Sequence, residues 1–261
     1  MRENTFRLDG SRTTAKVSTF DSIQDLTNWL DSAKITPMFA SRTGGATSMR
    51  EGGENWSGTN TWDEARRLMK SGWAEKAKEL ESQLSKELNK EPTQVMRQKS
   101  VYDVVGGNCS VPRYLQGVPT SMVRQVRTPV KQKTVTVNYN LTFNCNTRAD
   151  YMIEKAVKCL AYVKKLEDLG TRVNLNVFFV TESFSSHNSF AYVVPIKKTG
   201  ERLSLAKMAF TLCHPAMFRR IMFGCLERDI DVTEDFVYGY GRAVRDESTL
   251  SRIFPNTTFF N

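Results

Sequence analysis

Along the chain, apolar residues recur first at helical and then at strand spacing. In "VSTFDSIQDLTNWL", residues 17–30, Phe20, Ile23, Leu26 and Leu30 fall three or four apart, which predicts a short helix capped by Ser18 or Asp21. Thr61 with Glu64 three residues on forms a capping box, opening a helix in "WDEARRLMK" that stops at Ser71-Gly72. From Trp73 onward, Trp73, Ala77, Leu80, Leu84 and Leu88 form one stripe. The stripe is about two and a half heptads long, short for a zipper, and is expected to pack on the chain's own body. Between these helices, "SRTGGATSMREGGENWSGTN", residues 41–60, is too polar and glycine-rich for a helix or core strand and reads as a mobile loop. It lacks the GxxxxGK[ST] spacing of a phosphate loop.

Later in the chain the period changes to two. "TVTVNYNLTF" alternates Val135, Val137, Tyr139, Leu141 and Phe143 on one face, predicting a strand over 135–143. A helix follows from about Arg148 to Leu169, with Met152, Ala156, Leu160, Val163 and Leu166 inward, Thr147 and Asp150 as a capping pair and Gly170 as its stop. "RVNLNVFFVTE" is a second strand, "NSFAYVVPI" a third that returns as a hairpin across Ser183–Asn188, and "RLSLAKMAFTL" a second long helix. A strand, crossover helix and strand imply a parallel pair with a right-handed crossover. The expected architecture is α/β: a Rossmann-like sheet with flanking helices over 98–261, preceded by a helical extension over 1–97 that carries the glycine-rich loop.

Charge narrows the partners. Lys and Arg total 37 against 28 Asp and Glu, a net charge of +9, which favours acidic partners such as nucleic acid. The bias peaks in "SVYDVVGGNCSVPRYLQGVPTSMVRQVRTPVKQK", residues 100–133, where Arg113, Arg124, Arg127, Lys131 and Lys133 follow Asp103 with no further acid. Cations on extended chain can track phosphates while Tyr114 stacks on a base; the alternative is a solvated basic rim. A second pair, Arg219 and Arg220 in "HPAMFRRIMFGCLE", sits where a helix dipole disfavours cations. An answering anion is expected, either Glu182 or Asp235 within the chain or a nucleic-acid phosphate. The tail residues Phe254, Phe259 and Phe260 are expected to dock on a core or on a neighbouring subunit, so a homo-oligomer stays open.

Catalytic and metal chemistry find little support. The two histidines, His187 and His214, belong to no HExxH, GxSxG or HxE…PCxxC pattern. Adjacent Cys213 and His214 point about 100° apart on a helix, so His214 is expected to cap a carbonyl and not to activate the thiol. Asp229, Asp231, Glu234 and Asp235 read as a solvated helix exit. Five cysteines without a CxxC pair predict free thiols in a reducing, cytoplasmic compartment and no zinc knuckle. The start lacks a signal peptide's apolar run, and no stretch approaches the ~18 apolar residues of a membrane helix.

The order strand, long helix, strand, hairpin strand, helix resembles the von Willebrand factor A-type fold. That resemblance puts the fold's metal motif near Asn144, Asn146 and Arg148, and two amides with a guanidinium cannot hold Mg²⁺, which wants carboxylate oxygen. The runs "SGTNTWDEARRLMKSGW", "VYDVVGGNCSVPRYLQGVPTSMV" and "LSLAKMAFTLCHPAMFRRIMFGCLE" look like those of a family of bacteriophage and mobile-element proteins, together spanning most of 57–228. This implies a phage-type origin and carries over no catalytic residues. The expectation is a phage-encoded, non-enzymatic accessory protein without cofactor or metal, binding nucleic acid, single-stranded DNA foremost, in the host cytoplasm during DNA replication or transcription. The runner-up is a metal-free interaction module for a phage or host protein, or a virion component.

Overall fold

The first residues enter the main sheet. In the computed structural model, which describes residues 1–8, 13–41, 45–89, 99–126, 133–144, 146–232, 236, 239–244, 246–254 and 257–260, β1 (Arg2–Arg7) and β2 (Thr14–Thr19) pair as an antiparallel hairpin. Helix α1 (Ile23–Ser32) follows; its cap is Ser22, whose hydroxyl accepts the Asp25 amide at 3.1 Å, because Ser18 is already committed to the strand. Then come α2 (Pro37–Ala40), a 3₁₀ turn (Thr47–Met49), α3 (Glu54–Ser57), α4 (Trp62–Ser71) and α5 (Ala74–Asn89). Thr61 caps α4 as its spacing predicts, accepting from the Glu64 amide at 3.1 Å, while Glu64 reaches back to the Asn60 amide. At the corner between α4 and α5, Gly72 has φ +82° and lies so close to the Ala206 backbone that a Cβ would meet it at 2.7 Å.

A small second sheet interrupts the chain. Strands β3 (Lys99–Asp103), β4 (Asn108–Cys109) and β5 (Met122–Val126) pair antiparallel in the order β3-β5-β4, with helix α6 (Val111–Leu115) between β4 and β5. The main body resumes with β6 (Thr134–Asn140), α7 (Ala149–Asp168), β7 (Arg172–Glu182) and β8 (Ser189–Lys197). The predicted strand, helix and hairpin are all present. Helix α7 lacks a side-chain cap, however: Arg148 occupies that position with no such bond. Strand β6 ends at Asn140, although Leu141 to Phe143 stay buried beyond it.

The second long helix is not continuous. It begins as α8 (Leu205–Met208), widens to π-helical turns over Ala209–Cys213, breaks at His214-Pro215, widens again over Met217–Met222 and closes as α9 (Phe223–Arg228). Pro215 brings no amide hydrogen to the ladder, which accounts for the break. Strand β9 (Arg242–Ala243), α10 (Glu247–Ile253) and β10 (Thr258–Phe260) finish the chain.

The main sheet runs β1-β2-β8-β7-β6-β10, with β9 against β7. Strands β10, β6 and β7 are mutually parallel, β8 is antiparallel to β7, and β2 is parallel to β8. Along β7, Val177 and Phe179 face the larger core under α1, α4, α5, α7 and the 205–228 run, and Phe178 and Val180 face a smaller one closed by α10. The segment read as a helical extension contributes two strands to the main sheet, and Leu80 of α5 shares the larger core with Leu160 of α7. Strand β2 escaped the sequence reading because Lys16 interrupts its apolar pattern. That lysine is buried, its ammonium 2.7 Å from Asp229, 2.8 Å from Asp231 and 3.1 Å from Glu3.

Candidate functional site

The loop leaving β6 lies at the carboxyl ends of parallel strands, where open α/β sheets bind ligands. Asn144 and Asn146 are exposed there, and Arg148 pairs with Asp150 at 3.4 Å. Cys145 lies outside the described residues. Among the described residues, His, Cys, Asp and Glu form no group of three or more able to hold a metal ion.

This edge is aromatic instead. A cavity of about 490 Å³ is bounded by Trp56, Phe184, Phe223 and Tyr240, with Asn144 and Arg242 exposed at its rim. Phe223 and Tyr240 stack at 4.1 Å and 5°, and the Arg242 guanidinium lies over the half-exposed Phe184 ring at 5.5 Å. Tyr240 is held from behind: its hydroxyl accepts the Thr47 amide at 3.0 Å and donates to Glu227. Glu227 is fully buried and also accepts the amide and hydroxyl of Ser48. Burial raises its carboxyl above the usual range, and those hydrogen bonds pull the other way. Ser48 is fully buried too, so this Ser–Glu pair meets no solute. Gly241 is required next to Tyr240: at φ +78°, an added Cβ would sit 2.4 Å from the Thr181 hydroxyl and 2.5 Å from the Glu182 carbonyl.

Arg219 and Arg220, expected at a nucleic-acid surface or in a salt bridge, are buried at 4% and 2% exposure. Their partners are backbone carbonyls. Arg220 donates to the carbonyls of Ser48, Arg50, Gly52 and Thr59 at 2.7–3.0 Å, and Arg219 donates to those of Trp56 and Thr147 while covering the Trp56 ring at 4.9 Å. Together they tie down five carbonyls between Ser48 and Thr59 in the loop expected to be mobile. Glu182 pairs with His187, and Asp235 lies outside the described residues. Asp229 is likewise no solvated acid: at 4% exposure it holds Lys16 and accepts from the Tyr192 hydroxyl at 2.9 Å. Asp231 is exposed, and Glu234 is not among the described residues.

His214 caps, but in the opposite sense to the expectation. Its Nδ1 accepts the Ala216 amide at 3.1 Å, at the restart of the helix after Pro215. Burial lowers its pKa to about 4 and pushes the Cys213 thiol up to about 12, so both groups are neutral at neutral pH. A Cys/His dyad would need the reverse.

The basic segment is brought together only in part. On the small sheet, the Arg113 guanidinium lies 4.3 Å from the centre of the Tyr102 ring and donates to the Thr120 carbonyl and hydroxyl. Tyr102 and Tyr114 are 51% and 67% exposed. Arg124 is exposed and pairs with Asp103 across the ladder at 3.3 Å; Lys133 is exposed at the start of β6. Arg127 and Lys131 lie outside the described residues. The sequence reading missed Tyr102, whose tie to Arg113 crosses a turn, and the cavity residues Trp56, Phe184 and Arg242, which are distant in the chain. The crowding of aromatics and glycines in "YGYGRAV" was the one available signal.

No helix among the described residues is long and apolar enough to cross a membrane. No curated protein and no solved structure matches the chain. A family model described as a domain of unknown function, DUF7192, matches residues 10–258, which takes in β2 to β9 with the small sheet and the aromatic edge, and the chain belongs to that family.

Proposed function

We propose that this chain is a non-enzymatic nucleic-acid-binding accessory protein, taking single-stranded DNA, encoded by a phage or mobile element and acting in the host cytoplasm in DNA replication or transcription. The observation that carries this reading is the small sheet with α6, where a guanidinium stacked on exposed Tyr102 sits among exposed Tyr114 and Arg124. A guanidinium stacked on an aromatic ring is pre-oriented for phosphate, and exposed tyrosines offer stacking faces that every base can use. The net charge of +9 supports the same partner, and the resemblance of three long runs to bacteriophage proteins supports the context. The parallel β6–α7–β7 unit followed by antiparallel β8 supports a von Willebrand A-like core that works without a metal site.

A second reading has its own observation. Val104, Val105, Val111 and Leu115 on the same projection are 60–78% exposed, and such apolar exposure favours a protein partner, a second copy or a place in a virion. Fluorescence anisotropy with a labelled mixed-sequence single strand separates the two. Binding at micromolar protein in ~0.1 M salt should weaken steeply as salt rises, and Arg124→Ala with Arg127→Ala should flatten the slope by roughly one counterion per lost contact. Tyr114→Ala should cost ~1–3 kcal/mol with little change in slope. Absence of any salt-sensitive binding to DNA or RNA would leave the protein-docking reading in its place.

A further inference from the structure

The cavity at the carboxyl ends of β6 and β7 has features that the nucleic-acid reading of the small sheet does not use. Its volume, about 490 Å³, exceeds what one aromatic side chain fills and falls in the range of small-ligand sites. Its walls are flat rings, and two of them, Phe223 and Tyr240, are fixed in a parallel stack backed by the buried Glu227. The rim carries two groups with spare hydrogen-bonding capacity. The Asn144 side-chain amide forms no hydrogen bond among the described residues, and Arg242 has no ion-pair partner among them, only the Phe184 ring beneath its guanidinium. An amide can donate to and accept from the edge of a heterocycle, and a guanidinium matches a phosphate.

We infer that this cavity binds one nucleotide, its heteroaromatic ring against the Trp56, Phe184, Phe223 and Tyr240 walls and its phosphate at Arg242. Other aromatic ligands fit less well: an aliphatic or simple aromatic body leaves the Asn144 amide unused, and a neutral one leaves Arg242 unanswered. The nucleotide is either a free nucleoside phosphate or one unit of a strand; in the second case the inference rests on the proposed nucleic-acid reading.

Isothermal titration calorimetry on the full chain tests this with nucleoside monophosphates, the matching nucleosides, a short single strand, and indole-3-acetate as an aromatic anion lacking a base edge. Saturable one-to-one binding of a monophosphate identifies a free ligand; binding of the single strand alone, lost in the cavity variants, identifies a strand unit. In either case Arg242→Ala should weaken the phosphate-bearing ligand by about tenfold or more, the usual worth of a charged hydrogen bond. Where a nucleoside binds, it should be left unchanged. Phe184→Ala should weaken every nucleotide ligand. Both side chains are exposed, and an unchanged melting temperature would confirm that the variants fold. The inference is overturned if neither monophosphates nor the single strand bind saturably, if Arg242→Ala has no effect, or if indole-3-acetate binds as tightly as the nucleotides. Tyr114→Ala and Arg124→Ala should leave monophosphate binding intact, so failure of the small-sheet reading and failure of this one are told apart.

Discussion

At Arg220, one guanidinium replaces the solvent for four backbone carbonyls, and among the described residues no carboxylate forms an ion pair with it. Planar geometry matters there, because a single ammonium cannot address carbonyls spread over Ser48 to Thr59. Arg220→Lys should therefore cost on the order of 2–4 kcal/mol in urea unfolding, by leaving buried carbonyls unpaired. A loss within ~0.5 kcal/mol would mean that the loop is held by other contacts. His214 sets a pH dependence. The unfolded chain protonates it near 6.5 and the folded chain only near 4, so the unfolded state binds more protons between those values. Stability should fall by about 3 kcal/mol as pH drops from 7 to 4 on this account. Thermal unfolding of His214→Asn should show a shallower loss over that window; an equal slope would assign the acid sensitivity elsewhere.

Among the elements, α4 and α9 approach closely at one glycine. Gly224 faces the Trp62 ring, and a Cβ there would lie 2.6 Å from it, while the neighbouring Arg228 guanidinium covers the same ring at 4.7 Å. Gly224→Ala should raise intrinsic helix propensity yet destabilise by roughly 1–3 kcal/mol through overpacking. Chemical denaturation reads the sign directly: a stabilised variant would show that α4 can shift. The stripe of α5 is answered within the chain, its Leu80 at 1% exposure in the larger core, as its short length implied. The 41–60 segment could not be read this way. Its order over the described part comes from Arg220, some 160 residues away, and no local pattern encodes that distance.

For the whole molecule, β2 pairs along the edge of β8, and the helices before residue 97 pack their buried side chains, Leu26, Leu30, Trp62 and Leu80 among them, into the larger core. A fragment spanning 98–261 should therefore lack a cooperative thermal transition and show weak near-ultraviolet circular dichroism, with the β8 edge open to aggregation. A well-folded fragment with a sharp transition would restore the two-part division that the change of hydrophobic period suggests. The terminal aromatics act within the chain: Phe259 contacts Phe178 on one face of the sheet, and Phe260 stacks over Tyr139 on the other.

Short-range periodicity was sufficient for β6, α7, β7 and β8, because apolar alternation, helical stripes and Gly170 act between neighbours in sequence. The fate of charged residues was not legible in the same way. Arg219 and Arg220 were expected to meet an acid or a phosphate and Asp229 to be solvated, whereas each is buried because partners from distant segments meet it. The aromatic cavity belongs to that second class, since Trp56, Phe184 and Tyr240 become neighbours only once three separate segments close over the sheet's carboxyl edge. Burial and cavity shape are sums over long-range contacts, so tertiary structure decides them, whereas hydrogen-bond period and capping are local and can be read from the sequence.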